Sequence, residues 1–244
     1  MNDLYHFFQP MKDSLKHLWQ QHNNDIKHIH NICSGEKYTA VTMENGNTGV
    51  CANLNIIVPP VWEIASPDFN AIPDRILVNA FLNAVNSYNF KEDGLGDLAE
   101  VVDFSGYKKI VMIGFFESLS QRLAKKGVNP TIFDKLITDN PTITNIQEML
   151  PAIASCDAMI LTATTISNNT FTEIYNTAKA HCHIYILGPS AILHQDMFQF
   201  PKIAAIFGSI FLPEGKDELL TLIKAGHGTK SFLHLLKKVY IINK

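Results

Sequence analysis

Between residues 110 and 225 the chain alternates short apolar runs with amphipathic segments, and no other feature constrains its fold as strongly. The runs have the length and composition of parallel strands buried on both faces. They occupy residues 110–114, 131–134, 158–162, 184–188 and 204–208. Helical patterns occupy residues 118–126, 170–180 and 217–225. Strands that alternate with helices form right-handed crossovers, so we predict an α/β fold with a Rossmann-like, mostly parallel sheet.

The first 95 residues follow a different pattern, which predicts a smaller α+β domain. Residues 11–32 carry apolar side chains every three or four positions, as an amphipathic helix does, with an interruption near Asn23-Asn24. Two β-prone runs, at residues 38–43 and 50–56, flank an Asn45-Gly46 turn. Because Asn and Gly tolerate the positive φ that tight turns require, these runs predict a β-hairpin.

A proline-rich connection separates this hairpin from a second helix. Asp74 is positioned to cap that helix, which we expect to continue to about Tyr88. Residues 93–97 then have the composition of a linker. We place the domain boundary between residues 90 and 106, and we predict domains at residues 1–95 and 96–244.

The composition of the chain bears on where the protein is located and on which classes of partner it binds. The formal net charge of the 244 residues is −3, which gives no reason to expect a nucleic-acid or membrane partner. The N-terminus lacks the basic and apolar regions of a signal peptide, and no apolar run reaches the roughly 20 residues that span a bilayer. The four cysteines form no C-x-x-C pair, which favours reduced thiols. We predict a cytoplasmic protein and allow for a homo-oligomer.

In an open parallel sheet, ligands bind beyond the carboxyl ends of the strands, so the residues there are candidates. Gly114 ends the first strand where a dinucleotide-binding G-x-G-x-x-G motif would begin, but Phe116 and Leu119 replace the other two glycines. A standard NAD or FAD site is therefore not expected. Asp134, which ends the second strand, has the position of a ribose-binding carboxylate, although a solvated carboxylate explains it as well.

Two later strand ends are also polar. Residues 162–170 carry five hydroxyl side chains and two asparagines, which predict either a ligand site or a capped helix in a polar loop. Gly188-Pro189-Ser190 is a sharp turn that lacks the G-x-S-x-G frame of a nucleophile, so we expect it to bind rather than react. Residues 226–230 open the last predicted helix and predict an anion site or a helix break.

Metal ligands and catalytic residues cannot be assigned from these patterns. His28 and His30 point apart on the predicted helix, because residues two apart face different sides. His181 and His183 lead into a strand and share one face, which permits a two-histidine site or ordinary solvation. The sequence contains no H-E-x-x-H motif.

Several stretches of the C-terminal half resemble the Putative heavy-metal chelation domain family, a prokaryotic group. They are residues 111–116, 157–170, 187–190 and 226–232. The N-terminal half resembles the enolase-N-terminal-like domain that accompanies it, through residues 38–41, the turn at 45–49, and Asn83-Ala84. The chain departs from the family pattern at Ala163, at Ala191-Ile192 and at residues 226–228.

The resemblance implies a site in a cleft between the two domains. With the strand-end residues, it gives the ligand-binding candidates Tyr38, Thr39, Gly114, Phe115, Asp134, Thr162, Thr164, Asn168, Thr170, Gly188, Pro189, Ser190, Gly228 and Thr229. Heavy-metal chelation, or binding of a metal-bearing small molecule, is the first function it implies, with a divalent transition metal as the suggested cofactor. The alternatives are an enzyme acting on a nucleotide-like or phosphorylated molecule, with an S-adenosylmethionine-like cofactor, and a non-catalytic scaffold.

Overall fold

The larger of two sheets in the protein has seven strands, in the order β4-β10-β9-β8-β7-β5-β6. This computed structural model describes residues 13–59, 64–89, 91–137 and 139–244. Five neighbouring strands are parallel, which confirms the predicted α/β fold with a mostly parallel sheet. They are β5 (Ile110–Ile113), β6 (Thr131–Phe133), β7 (Ala158–Thr162), β8 (His183–Leu187) and β9 (Ile203–Phe211).

Two antiparallel strands complete this sheet at one edge. β10 (Leu236–Ile242) pairs with β9, and β4 (Gly94–Leu95), within the segment interpreted as a linker, pairs with β10. The expected last helix is therefore wrong: residues Thr229–Leu235 form a 3₁₀ helix that leads into a strand. The strand is half-buried, because Val239 and Ile241 face the core while their neighbours are more exposed.

The smaller sheet has three antiparallel strands, β1 (Ile29–Ser34), β2 (Tyr38–Met43) and β3 (Thr48–Ala52). The predicted hairpin is confirmed, and Gly46 in its turn has a φ of +88°. β3 ends at Ala52 rather than Ile56, because Leu54 and Asn55 both have positive φ.

The first predicted helix is correct only in its middle. Within the described residues, α1 spans Ser14–His22 and ends where the interruption was expected, and a 3₁₀ helix (Asn23–His28) follows. Residues 29–32 were predicted as helix but belong to β1, which pairs with β2. Their isoleucines continue a helical spacing by coincidence, while pairing with β2 satisfies their backbone groups.

The second helix of the N-terminal half, α2 (Ile72–Asn86), is buried along nearly its whole length. It begins before Asp74, with Pro73 in its first turn, so the prediction that Asp74 caps it is wrong. The Asp74 carboxylate instead accepts the backbone N–H of Asp68 at 2.8 Å. The buried Arg75 guanidinium pairs with Asp13 before α1 and donates to the carbonyls of Ile166 and Ser167.

The remaining helices pack around both sheets. They are α3 (Leu98–Val101), α4 (Glu117–Lys125), α5 (Met149–Ile153), α6 (Thr164–Ser167), α7 (Phe171–Thr177) and α8 (Lys216–Lys224). The last of them, α8, contacts β1 and β2 of the small sheet. Short 3₁₀ helices lie at Ile146–Glu148, Gln195–Gln199 and Pro213–Gly215. In the part of the chain that the structure describes, no helix has the length and apolar character needed to cross a membrane.

One hydrophobic core joins the two sheets. Val41 of β2 and Phe81 of α2 belong to the same buried cluster as Val111 of β5 and Leu161 of β7. The N-terminal half therefore packs directly on the large sheet, and this packing places β2 beside the strand ends that form the candidate site.

Candidate functional site

A cleft of about 720 Å³ lies where the carboxyl ends of β5 and β8 meet the middle of β9. β9 runs past the end of β8, so that Phe207, Gly208 and Ser209 form one wall beside Gly188-Pro189. The first turn of α4 forms a second wall, and its N–H groups have no partner within the helix. This volume is typical of sites for small organic ligands.

The small sheet closes the cleft through Tyr38. Its hydroxyl lies 2.6 Å from the Thr229 hydroxyl, and its ring contacts Phe232 edge to face at 5.4 Å. Burial raises the pKa of Tyr38, and the hydrogen bond with Thr229 only partly opposes this. Tyr38 is therefore a neutral hydroxyl at physiological pH, and it fixes the position of the Gly228-Thr229 segment.

Cations outnumber carboxylates among the lining residues. Four are basic, namely Lys37, Arg122, Lys230 and Lys238, and the carboxylates are Asp97 and Glu117. Arg122 lies 2.5 Å and Lys238 lies 3.5 Å from the Asp97 carboxylate, and Lys230 lies 3.7 Å from Glu117. Although burial raises the pKa of Asp97, the neighbouring Arg122 and Lys238 hold it below its usual value. Both carboxylates are thus already paired, and the surplus charge of the cleft is positive.

Apolar side chains form most of the remaining lining. They are Leu98, Phe115, Phe116, Leu119, Ile137, Leu187, Pro189, Phe207, Leu233 and Leu236. A ligand that buried an apolar or aromatic body against these side chains would gain roughly 25 cal/mol for each Å² removed from water. The lining therefore combines two kinds of residue, these apolar side chains (the apolar floor) and the polar side chains (the polar rim), and the polar ones carry the excess positive charge.

The structure brings some of the sequence-predicted residues into this cleft. Those that line it are Tyr38, Phe115, Gly188, Pro189, Gly228 and Thr229. Gly188 has a φ of +126°, and a Cβ at that position would meet no atom within 4 Å. Gly188 therefore leaves open space at the end of β8, which a ligand could occupy.

The Asp134 carboxylate makes hydrogen bonds within the fold and does not face the cleft, where a ribose would bind. Its carboxylate accepts the backbone N–H groups of Phe115 at 2.7 Å, Leu136 at 2.8 Å and Ile137 at 3.1 Å. These bonds hold the loop after β6 against the loop after β5. Asp134 thereby positions Phe115, which lines the cleft, and it does not line the cleft itself.

The polar side chains of the loop after β7 make hydrogen bonds within that loop. Thr162 and Thr164 share a hydroxyl contact of 3.0 Å, and the Asn168 side chain accepts both the N–H and the hydroxyl of Thr170. Two backbone carbonyls of α6 also accept hydrogen bonds from the buried Arg75 guanidinium. None of these four polar residues lines the cleft. Gly114 is closely packed as well, because a Cβ at this position would lie 2.8 Å from Thr162 Cβ.

Ser190 joins the two halves of the molecule, whereas Thr39 joins segments of the N-terminal half. The buried Ser190 hydroxyl accepts the backbone N–H of Ala52 at 3.0 Å, and the buried Thr39 hydroxyl donates to Asn53 at 2.8 Å. Ser190 also contacts Cys51, whose pKa burial raises to about 11 despite that hydrogen bond. These hydroxyls therefore join structural elements and do not line the cleft.

Several lining residues were not among the candidates. Phe116, Glu117 and Arg122 come from α4 and the residue before it, and Gly208 and Ser209 come from β9. The strand-end rule, if applied to the fifth predicted strand at residues 204–208, would have identified Gly208. Lys238 lies on β10, for which the sequence had suggested no strand.

The described residues do not include a preformed metal centre. Among them, no three His, Cys, Asp or Glu side chains are grouped so that they could hold an ion. The cleft lining contains neither His nor Cys, and its two carboxylates are paired with cations. These residues do not fit a bare heavy-metal ion, because soft metals prefer thiolate and imidazole ligands.

Comparisons with known proteins agree with this fold. Residues 97–242 match the sequence profile of the DUF364 family, described as "Putative heavy-metal chelation". Two solved structures of DUF364 proteins of unknown function are similar. The one from Pyrococcus horikoshii has 22% identity and a TM-score of 0.78, with 94% of this chain and 99% of the other covered. The one from Desulfitobacterium hafniense DCB-2 has 14% identity and a TM-score of 0.63, with 93% and 99% covered. A search of curated proteins finds no match.

Proposed function

The chain belongs to the DUF364 family, and from that premise we propose that its cleft binds a small anionic organic molecule with an apolar body. The observation that carries this proposal is the lining of the 720 Å³ cleft, where four cations face two paired carboxylates above an apolar floor. An anionic group would contact the polar rim, and the rest of the molecule would pack on Phe115, Phe116 and Phe207. A pocket of this kind is mostly apolar, with a few polar groups that fix the ligand's orientation.

In this proposal, a heavy metal binds in the cleft only as part of a metal-bearing organic ligand. The cleft offers no thiolate or imidazole to a bare ion, as described above. A carboxylate-bearing molecule that already holds a metal ion would present its own negative charge to Lys37 and Lys230. We therefore propose that any metal in the cleft is carried by the ligand rather than chelated by the protein.

The enzyme alternative has less support. It depended on Asp134 as a ribose acceptor and on helix N-termini as anion sites, among them the one after the polar loop at residues 162–170. Asp134 already accepts three backbone N–H groups, and each of the five hydroxyls in that loop has a partner within the loop. Binding therefore remains the function that we propose for the cleft.

The first test uses 8-anilinonaphthalene-1-sulfonate, a fluorescent anion with an aromatic body, as the probe. We expect the wild-type protein to bind one equivalent, and we expect Lys37→Gln with Lys230→Gln to raise its Kd about tenfold, or roughly 1.4 kcal/mol. Phe116→Ala should also raise the Kd, because it removes part of the apolar floor. Added salt should weaken binding to the wild type more than to the lysine variant, since the lysines are exposed and screened.

Lys125→Gln is the matched control, because Lys125 is exposed on α4 and does not line the cleft. Its Kd should equal that of the wild type. Equal affinities in all four proteins would contradict the proposal. So would stabilisation of the protein by Ni²⁺ alone that disappears in the cleft variants, because that result would locate a bare-ion site there.

A further inference from the structure

Two cysteine thiols outside the cleft lie in contact with each other. The sulfurs of Cys156 and Cys182 are 3.5 Å apart, and both residues are fully buried. Cys156 lies two residues before β7, and Cys182 directly precedes β8. Because Ala158 pairs with His183 in the parallel register of these strands, the large sheet itself holds the two thiols together.

The two thiols are hydrogen-bonded to each other. At 3.5 Å one thiol donates to the sulfur of the other. The Cys156 thiol also donates to the Ile153 carbonyl at 3.3 Å. Neither cysteine is used by the cleft, whose lining contains no thiol.

A fixed cation stands near this pair. The Lys202 ammonium donates to the carbonyls of Tyr175 and Ala178 and lies 4.3 Å from the centre of the Tyr175 ring. Negative charge on the two sulfurs interacts favourably with this ammonium. It interacts unfavourably with the carboxylate of Asp157, which is next to Cys156 in the sequence.

We propose that Cys156 and Cys182 form a two-thiolate site for one soft monovalent ion of the Cu(I) class. Thiolates select soft ions, and two sulfurs with no third His, Cys, Asp or Glu donor among the described residues do not fit Zn²⁺, which takes four ligands. Binding replaces two S–H bonds with two S–metal bonds and releases two protons to solvent, and no electrons are transferred. The product carries one negative charge, in surroundings that include both the Lys202 ammonium and the Asp157 carboxylate.

The pair needs only a small adjustment to hold such an ion. If the Zn–S bond length of about 2.3 Å is taken as a guide, a linear arrangement places the sulfurs about 4.6 Å apart. The present separation is 3.5 Å, so binding requires the two buried sulfurs to move apart by about 1 Å. His181, next to Cys182 in the sequence, is exposed, so the pair lies one residue from the protein surface along the chain.

The test uses Cu(I) under anaerobic conditions, presented by a chromophoric Cu(I) chelator to the fully reduced protein. The variant Cys33→Ala with Cys51→Ala is central, because Cys156 and Cys182 are the only thiols left in that chain. We expect it to take up one Cu(I) as the wild type does, with X-ray absorption showing two sulfur neighbours. Cys156→Ala and Cys182→Ala should each weaken binding by at least about 100-fold, more than loss of an outer-shell contact.

Three results would overturn the proposal. The first is failure of the Cys33→Ala/Cys51→Ala protein, shown to be folded by its circular dichroism, to take up Cu(I). The second is nitrogen rather than sulfur coordination in its absorption spectrum. The third is undiminished binding in both single variants. If either single variant fails to fold, the stoichiometry and spectrum of the Cys33→Ala/Cys51→Ala protein still decide the question.

Discussion

Gly114 shows how one backbone position can exclude every side chain. Its φ is +92°, and an added Cβ would lie 2.8 Å from Thr162 Cβ, in a loop that hydroxyl contacts hold in place. Positive φ strains a residue that has a Cβ, and the neighbour has little room to move. We expect Gly114→Ala to lower the free energy of unfolding by about 1–3 kcal/mol, measured by urea denaturation followed by circular dichroism.

Gly106→Ala is the control for this substitution. Gly106 does not have a positive φ, and a Cβ there would meet no atom within 4 Å. Its effect should stay within about 0.5 kcal/mol. If the two substitutions destabilise the protein equally, the strain at Gly114 is not the cause. The sequence had indicated a ligand role for Gly114, whereas the structure also gives it a role in the packing of β5 against the β7 loop.

Among the elements, the 3₁₀ helix Gln195–Gln199 links the pH of the solution to stability. It begins at His194, whose Nδ1 accepts the backbone N–H of Asp196 at 3.1 Å. Burial lowers the pKa of His194 from its usual 6.5, and His22 and His17 lower it further, while Asp196 opposes them. The fold therefore favours neutral His194. Its contribution is fully present above pH 6.5 and is lost as the pH falls through the lower pKa of the folded state.

We expect the melting temperature of the wild type to fall between pH 7.5 and pH 5 more steeply than that of His194→Asn. Asparagine keeps an acceptor for the Asp196 N–H but cannot take up a proton in this range. The exposed His30 provides the control His30→Asn, which should keep the wild-type slope. Identical slopes in all three proteins, measured by calorimetry in buffers of equal ionic strength, would show that His194 is not responsible.

Elements buried on both faces were predictable from the sequence, and half-exposed ones were not. β5, β7 and β8 are short, nearly continuous apolar runs, as is typical of parallel strands buried on both faces. β10 has two exposed lysines within it, and β1 continues the spacing of the preceding helix, so neither strand has a distinct local signal. Pairing with β9 and with β2 decides these segments, and pairing partners are not readable from a single stretch of sequence.

The candidate site was predictable to the same extent. The strand-end rule led to Gly188 and Pro189, which line the cleft. It could not separate them from Ser190 or Asn168, because polar groups at a strand end also serve contacts with other elements. Which of these groups faces a ligand depends on how α2 and the small sheet cover the end of β7, and that is a property of the tertiary packing.

At the scale of the whole molecule, the shared core makes a prediction about cooperativity. Phe81 of α2 is fully buried in the cluster that also contains Val111 and Leu161 of the large sheet. Phe81→Ala leaves a cavity in this shared cluster, and we expect it to lower the free energy of unfolding by about 3–5 kcal/mol. Hydrogen exchange measured in denaturant should show the amides of β2 and β3 losing protection together with those of β7 and β8.

Leu95→Ala is the matched control, because Leu95 is 66% exposed and lies at the edge of the large sheet. It should leave both sets of amides nearly unchanged. The informative comparison is between the two sets within Phe81→Ala. If β7 and β8 keep their protection while β2 and β3 lose it, then residues 96–244 fold as a separate unit, and the predicted boundary at residue 95 divides the molecule energetically. Joint loss of protection would mean that the two halves unfold as one cooperative unit. A ligand in the cleft would then stabilise both halves, because binding to a cooperative native state raises the stability of the whole state.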